Sequence, residues 1–292
     1  MIALAQRAGI PLIRPKGKSS RYLRELAMEP SVPKFAANLS FLFQEVSFLD
    51  RFAAAAACGF EAVEYLSPYE HPPEAIAQQL NRHRLEQALF NMPPGDWAAG
   101  ERGIAVLPGR EKEFRDAVET ALTYAKATKC RLLHAMAGVL PVGYDRAEVE
   151  RLYVANLRHA AERLAGEGIT VVIEPINTRD IPAYFLNTTA QAMSVIDRVG
   201  RPNLKLQLDL YHVQIMEGDL AHRIRALAGH YPHVQIAGNP GRNEPDVGEI
   251  NYPFLFDLLD EIGYSGWIGC EYRPRAETTA GLGWAKRYGI GA

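Results

Sequence analysis

Cysteine is scarce in this chain, and Cys58, Cys130 and Cys270 are odd in number, far apart and outside any zinc-ligand spacing. A disulfide framework and a structural zinc site are therefore not expected, and a reducing, cytoplasmic setting is. Long apolar runs are also missing. Nothing approaches the roughly 20 residues that a membrane-spanning helix needs, so no membrane association is expected. Charge of one sign is absent too, because 32 basic residues against 34 acidic ones leave a net charge of -2. That rules against the broad positive field of a nucleic-acid binder. No Gly-rich dinucleotide fingerprint or phosphate loop follows the first apolar run. What is present, 48% hydrophobic and 23% charged residues, is the composition of a globular protein with a sizeable core.

Residues 1–33 stand apart from the rest. They carry Arg7, Arg14, Lys16, Lys18, Arg21 and Arg24 against only Glu25 and Glu29, and they are read as a basic extension rather than a targeting segment. From residue 34 to residue 292 short apolar runs alternate with amphipathic stretches. Strands are expected at Phe35–Leu39, Ala62–Leu66, Leu85–Asn91, Arg131–Met136, Ile169–Asn177, Leu204–Asp209, His233–Ala237 and Trp267–Tyr272. Helices are expected between them, the last with Phe254, Leu255, Leu258, Leu259 and Ile262 on its inner face. Eight such units over a length close to the typical ~250 residues predict an α/β fold, a single (β/α)8 TIM barrel. The long Gly- and Pro-rich stretch Met92–Pro108, with Trp97 and Arg102, reads as a loop that covers a small ligand or simply packs on the surface.

In a barrel of this kind the chemistry collects at the C-terminal strand ends. Strand five, ITVVIEPIN, drives Glu174 to the end of a β-branched run; strand six ends at Asp209, strand seven offers Gln235, and strand eight ends at Glu271. Parity agrees, because Leu204, Leu206 and Leu208 fall opposite Asp209, while Val234 and Ile236 fall opposite Gln235. Three carboxylates in one mouth repel unless a cation or trapped protons compensate. Glu174, Asp209, Gln235 and Glu271 together offer only hard oxygen donors, which suits a divalent Mg²⁺ or Mn²⁺ rather than zinc. His233 shares the parity of Gln235 but lies deeper, as a buried hydrogen-bonded histidine would. His212, at the start of the loop above strand six, is a candidate to hydrogen-bond a substrate oxygen.

The stretches NMPPGDWAAGERGIA from Asn91, IEPIN from Ile173, LDLYH from Leu208, HVQIAGNP from His233, GEINY from Gly248 and GWIGCEY from Gly266 together resemble the hydroxypyruvate isomerase branch of the xylose-isomerase-like barrels. The resemblance runs from about residue 34 nearly to the C-terminus. In the wider group the seventh-strand ligand is often histidine, whereas Gln235 stands here, as in that branch. The resemblance implies interconversion of hydroxypyruvate and tartronate semialdehyde. One of Glu174 and Glu271 would remove the proton beside the carbonyl, and the other would return a proton to the neighbouring carbon through an enediolate, with the metal assisting. Arg102 and Arg242 are candidates for the substrate carboxylate, and Glu249 for orienting an arginine or capping a helix. A 2-oxo-tetronate isomerase shares GEINY and GWIGCEY and is the nearest rival; IEPIN, DIPAYF from Asp180 and the Asp209–His212 segment favour the hydroxypyruvate enzyme. A nuclease on this barrel would need further histidine ligands and a basic groove. A lyase, a sugar epimerase and a non-catalytic binding barrel are the remaining alternatives, and Glu174 with Glu271 speaks against the last. A homo-oligomer is left open, with LGWAKRYG from Leu282 as a candidate contact.

Overall fold

The computed structural model describes residues 33–291, so the basic extension, apart from Pro33, lies outside the described residues. Within them eight strands run in order: β1 (Lys34–Asn38), β2 (Ala62–Tyr65), β3 (Glu86–Asn91), β4 (Leu132–His134), β5 (Thr170–Ile173), β6 (Leu204–Asp209), β7 (His233–Ile236) and β8 (Trp267–Cys270). Every neighbouring pair is parallel. β8 returns to β1, with Ala36 opposite Gly269, and closes the barrel. This is the (β/α)8 architecture that the alternation predicts.

The helices are α1 (Arg51–Ala57), α2 (Pro73–His83), α3 (Glu111–Thr128), α4 (Arg146–Ala165), α5 (Thr189–Val199), α6 (Leu210–Met216), α7 (Leu220–Ala226) and α8 (Tyr252–Glu261). Their starts are encoded locally. Asp145 accepts from the backbone N–H groups of Ala147 and Glu148, both at 3.0 Å, and Thr188 accepts from that of Gln191 at 3.2 Å. The main core lies between sheet and helices, where Val171, Ile173, Leu204, Leu206 and Leu208 are buried outward from the barrel. Inside, Ala36, Ala62 and Ala88 form a separate small cluster with Trp267. No helix among the described residues is long and apolar enough to cross a membrane.

Several elements differ from expectation. β4, β5 and β8 are shorter, so Glu174 and Glu271 are each the first residue beyond a strand rather than the last within it. The segment above β6 is helix α6, not a loop, and it places His212 in a first helical turn. Phe254 is 51% exposed, because the inner face of α8 runs through Tyr252, Leu255, Phe256, Leu258 and Leu259 and leaves position 254 on the far side. A 3-10 run over Thr278–Tyr288 was not expected. Its Leu282 and Ala285 are buried, and the Trp284 ring stands edge-on to Phe35 at 5.2 Å, so these apolar residues of the candidate oligomer contact pack on their own barrel.

Candidate active site

Asp209 holds the centre of the site through two roles. As the last residue of β6 it is also the N-cap of α6, and its Oδ1 accepts from the backbone N–H groups of Tyr211 at 2.7 Å and His212 at 3.2 Å. Oδ2 is left buried without a hydrogen-bond partner. Glu174 Oε1 is orphaned in the same way, and His212 Nε2 lies 3.6 Å from Asp209 Oδ2 and 3.7 Å from Glu174 Oε1. One ligand atom from each of the three residues falls within 4.8 Å of the others.

Asn177 settles which nitrogen of His212 carries the proton. The Asn177 Oδ1 accepts from the backbone N–H groups of Arg179 at 2.9 Å and Asp180 at 2.8 Å. Its Nδ2 must therefore face His212 Nδ1, 2.6 Å away, and that nitrogen is the acceptor. Burial, and next the nearby Arg242, holds the imidazole neutral with its pKa well below the usual value, so the remaining proton sits on Nε2 and points toward the acids.

Glu271 is held differently. Its Oε2 accepts from Asn38 Nδ2 at 2.9 Å and Gln235 Nε2 at 2.7 Å, while its Oε1 pairs with Arg242 Nη2. Gln235 turns its oxygen toward Gln207 Nε2 at 2.6 Å, so its nitrogen is the end that meets the carboxylates. Beneath lies Glu64, fully buried, which accepts the same two amides at 2.9 and 2.8 Å and meets His233 Nε2 at 2.6 Å. Gly269 makes room for it, since a Cβ there would overlap the Glu64 carboxylate. His233 is thus the buried, hydrogen-bonded residue that its depth predicts.

Electrostatics follow from this packing. Burial, reinforced by Asp209 and then Glu271, raises the Glu174 pKa well above the carboxylate range. Burial pushes Glu271 up to about 8 against the pull of Arg242, and Asp209 up to about 6. Burial opposes the charge on Arg242, yet Glu271, Asp209, Asp180 and Glu174 together raise its pKa. At the end of β4, His134 is held neutral, its pKa pushed down to about 3 by burial. Its Nδ1 lies 3.2 Å from Asn91 Oδ1 and 3.6 Å from Glu174 Oε2, and its Nε2 is buried without a partner.

A cavity of about 450 Å³ opens over this floor, and Glu174, Glu271, His134, His212, Arg102 and Arg242 all line it. Asp209 and Gln235 are buried and are not among its lining residues. Arg102 is presented by the expected loop, where Gly103 adopts φ +112° and approaches the Met136 carbonyl too closely for a side chain. Glu249 serves neither expected role: it accepts from Gln214 Nε2 at 3.1 Å and from Asn239, and the cap of α8 is Asn251. The sequence reading missed Asn38, Glu64, Asn91, His134 and Asn177. Applying the strand-end rule to the first four strands would have found Asn38, Asn91 and His134.

The orphaned oxygens of Glu174 and Asp209 test the fit of a divalent metal. Two buried, unpaired, hard oxygen donors facing one space match Mg²⁺ or Mn²⁺ in donor chemistry.

Residues 52–288 match the family of xylose isomerase-like TIM barrels. A 2-oxo-tetronate isomerase from Cupriavidus necator is 55% identical over 257 residues, which cover 88% of this chain and 99% of that protein. A hydroxypyruvate isomerase from Escherichia coli is 48% identical over 255 residues, covering 87% and 99%. Among solved structures, a Brucella melitensis protein named AP endonuclease, family 2, superposes with a TM-score of 0.86 at 55% identity, covering 88% of this chain and 99% of that one.

Proposed function

From the premise that the chain belongs to the xylose isomerase-like TIM barrel family and is an enzyme of the isomerase class, we propose that it shifts the carbonyl of a short oxo acid, interconverting hydroxypyruvate and tartronate semialdehyde. The observation that carries this reading is the pair of orphaned buried oxygens, Glu174 Oε1 and Asp209 Oδ2, under a cavity that also exposes Glu271. A second reading, with 2-oxo-tetronate as substrate, is favoured by the 55% identical relative of that name. The three unpaired cysteines suit a reducing, cytoplasmic setting.

Glu174 and Asp209 would hold the metal, with Glu271 as a further carboxylate on the neighbouring strand end. Gln235, expected as an oxygen ligand, turns its oxygen to Gln207 and meets Glu271 through its nitrogen, so it orients that carboxylate instead. A bound Mg²⁺ or Mn²⁺ would supply Lewis-acid polarisation of the substrate oxygens, which acidifies the carbon-bound proton. One of Glu174 and Glu271 takes that proton, and the other returns one to the adjacent carbon. Burial suits both for the task, because a carboxyl pKa raised toward neutrality, about 8 for Glu271, lets the group act as base and as acid near physiological pH. His212 is the donor from Nε2, since Asn177 occupies its other nitrogen. It therefore hydrogen-bonds a substrate oxygen or a neighbouring carboxylate and does not ligate metal through that nitrogen.

The test is a metal-stripped preparation assayed with hydroxypyruvate and with 2-oxo-tetronate in D₂O, with and without Mg²⁺ or Mn²⁺, followed by proton NMR. Metal-dependent turnover with deuterium incorporation at the reacting carbon is the expected result. Preference for the four-carbon acid moves the substrate and keeps the chemistry. Silence with both acids refutes the isomerisation.

A further inference from the structure

Resting on the reading above that the substrate is a short oxo acid, we propose that Arg273 and Arg102 form the seat of its carboxylate, and that Arg242 does not. Three guanidinium groups line the cavity: Arg102, Arg242 and Arg273. Arg242 is already committed. Its Nη2 pairs with Glu271 Oε1, its Nη1 with Asp180 Oδ2 at 3.1 Å, and its Nε reaches the Glu271 carbonyl at 3.4 Å. The rings of Phe41 and Tyr211 flank it at 5.0 and 5.1 Å. Two carboxylates already compensate the charge of this guanidinium, which leaves it the weaker attraction for a third. Arg242 is instead the group that fixes Glu271.

Arg102 and Arg273 have no carboxylate within ion-pair reach among the described residues. Arg102 is held in orientation without being neutralised. Its guanidinium lies 3.8 Å from the Trp97 ring centroid, and its Nη1 donates to the carbonyls of Trp97 at 3.0 Å and Glu101 at 2.6 Å, which leaves Nε and Nη2 for a ligand. Arg273 is anchored through its main chain: its N–H donates to the Arg242 carbonyl at 2.7 Å, and its own carbonyl accepts from Asn243 Nδ2 at 2.8 Å. Two residues on, Arg275 is paired with Glu244 at 3.0 Å, so the lack of a partner distinguishes position 273 within the same segment.

The polarity of the cavity then orients the substrate. Glu174 and Glu271, which also line the cavity, offer no positive charge to a carboxylate. The uncompensated positive charge is supplied by Arg102 and Arg273, which hold the carboxylate by charge-assisted hydrogen bonds while the reacting carbons face the glutamates. An uncharged hydroxyketone of the same length lacks this anchor.

The experiment uses the full-length protein with Mn²⁺ and measures calorimetric binding of tartronate, a substrate-shaped dicarboxylate, beside kcat and KM for hydroxypyruvate. Arg273→Ala and Arg102→Ala should each weaken tartronate about ten- to a hundredfold, with KM rising in parallel and kcat little changed. Arg273→Lys should recover most of the affinity. Mn²⁺ affinity and weak binding of uncharged dihydroxyacetone should stay at their wild-type levels, which a general disturbance of the fold would not allow. Tartronate affinity unchanged in the double variant overturns the seat, and so does a loss of Mn²⁺ affinity that accounts for the whole effect. Arginine-dependent tartronate binding without turnover of either acid refutes the isomerase reading and leaves the seat standing. Turnover with an unchanged KM in both variants does the reverse.

Discussion

Asp209 presents one carboxylate oxygen to the backbone of α6 and the other to His212, whose Nε2 lies 3.6 Å away. The two functions separate by substitution. In Asp209→Asn the amide oxygen can keep the cap, worth about 1 kcal/mol, while the second oxygen is lost. The expected outcome is a loss of Mn²⁺ affinity of at least about a hundredfold by calorimetry, more than the 10–100-fold cost typical of outer-shell changes. The melting temperature of the metal-free protein should hold or rise, because a buried like charge has been removed. Asp209→Ala should lose the metal and also the cap. A destabilised metal-free Asp209→Asn variant would contradict this division.

The raised carboxyl pKa values carry a signed pH dependence. Glu271 titrates from its ordinary value of 4.5 when unfolded to about 8 when folded, so between these pH values the folded state binds more protons. Stability of the metal-free protein contributed by this group is fully present below about pH 4.5 and declines as pH rises through 8. Metal binds the deprotonated form, so Mn²⁺ affinity should rise over the same range and protons should be released on binding. Thermal melts in chelator from pH 5 to about 8.5, taken as the difference between wild type and Glu271→Gln, isolate the group from other titrations. A difference that rises with pH would refute the assignment.

What the sequence made legible was contrast. Glu174, Asp209 and Glu271 stand out because each closes an apolar run, and apolar periodicity located all eight strands. Glu64 gave no such signal, since AVEY reads as an ordinary alternation, and its place inside the barrel depends on the missing side chain of Gly269 on another strand. The helix at Leu210 was hidden because Asp209, its cap, was read only as a site acid. The Arg242 to Asp180 pair joins two loops far apart in sequence, and no local pattern reports such a closure.

Glu174→Gln should abolish turnover by at least about a thousandfold, within the range expected for removing a positioned acid–base group. The fold should be retained, because Glu174 Oε1 has no hydrogen bond to lose. Glu271→Gln should be equally inactive and keep close to wild-type stability near neutral pH, because a carboxyl pushed up to about 8 is mostly protonated there and a neutral amide takes its place, with Asp180 still paired to Arg242. Rate assays together with urea melts at about pH 7 check both variants, and a large loss of stability in Glu271→Gln would show that Arg242 depends on an ionised Glu271.

The tautomer of His212 can be reversed by a single atom. In Asn177→Asp the oxygen that accepts from the backbone N–H groups of Arg179 and Asp180 remains, but the group facing His212 Nδ1 changes from a donor to an acceptor. The imidazole proton should then move to Nδ1 and leave a lone pair on Nε2, directed at Glu174 and Asp209. Long-range proton–nitrogen NMR of the histidine ring reads this exchange directly and does not depend on activity. If His212 serves as a donor to the substrate, kcat should fall by about ten- to a hundredfold, the scale of one lost catalytic hydrogen bond, while the fold is kept. Mn²⁺ affinity should increase if the freed nitrogen becomes a ligand. A switched tautomer with unchanged kcat would remove His212 from the chemistry and leave it as part of the frame that places Asp209.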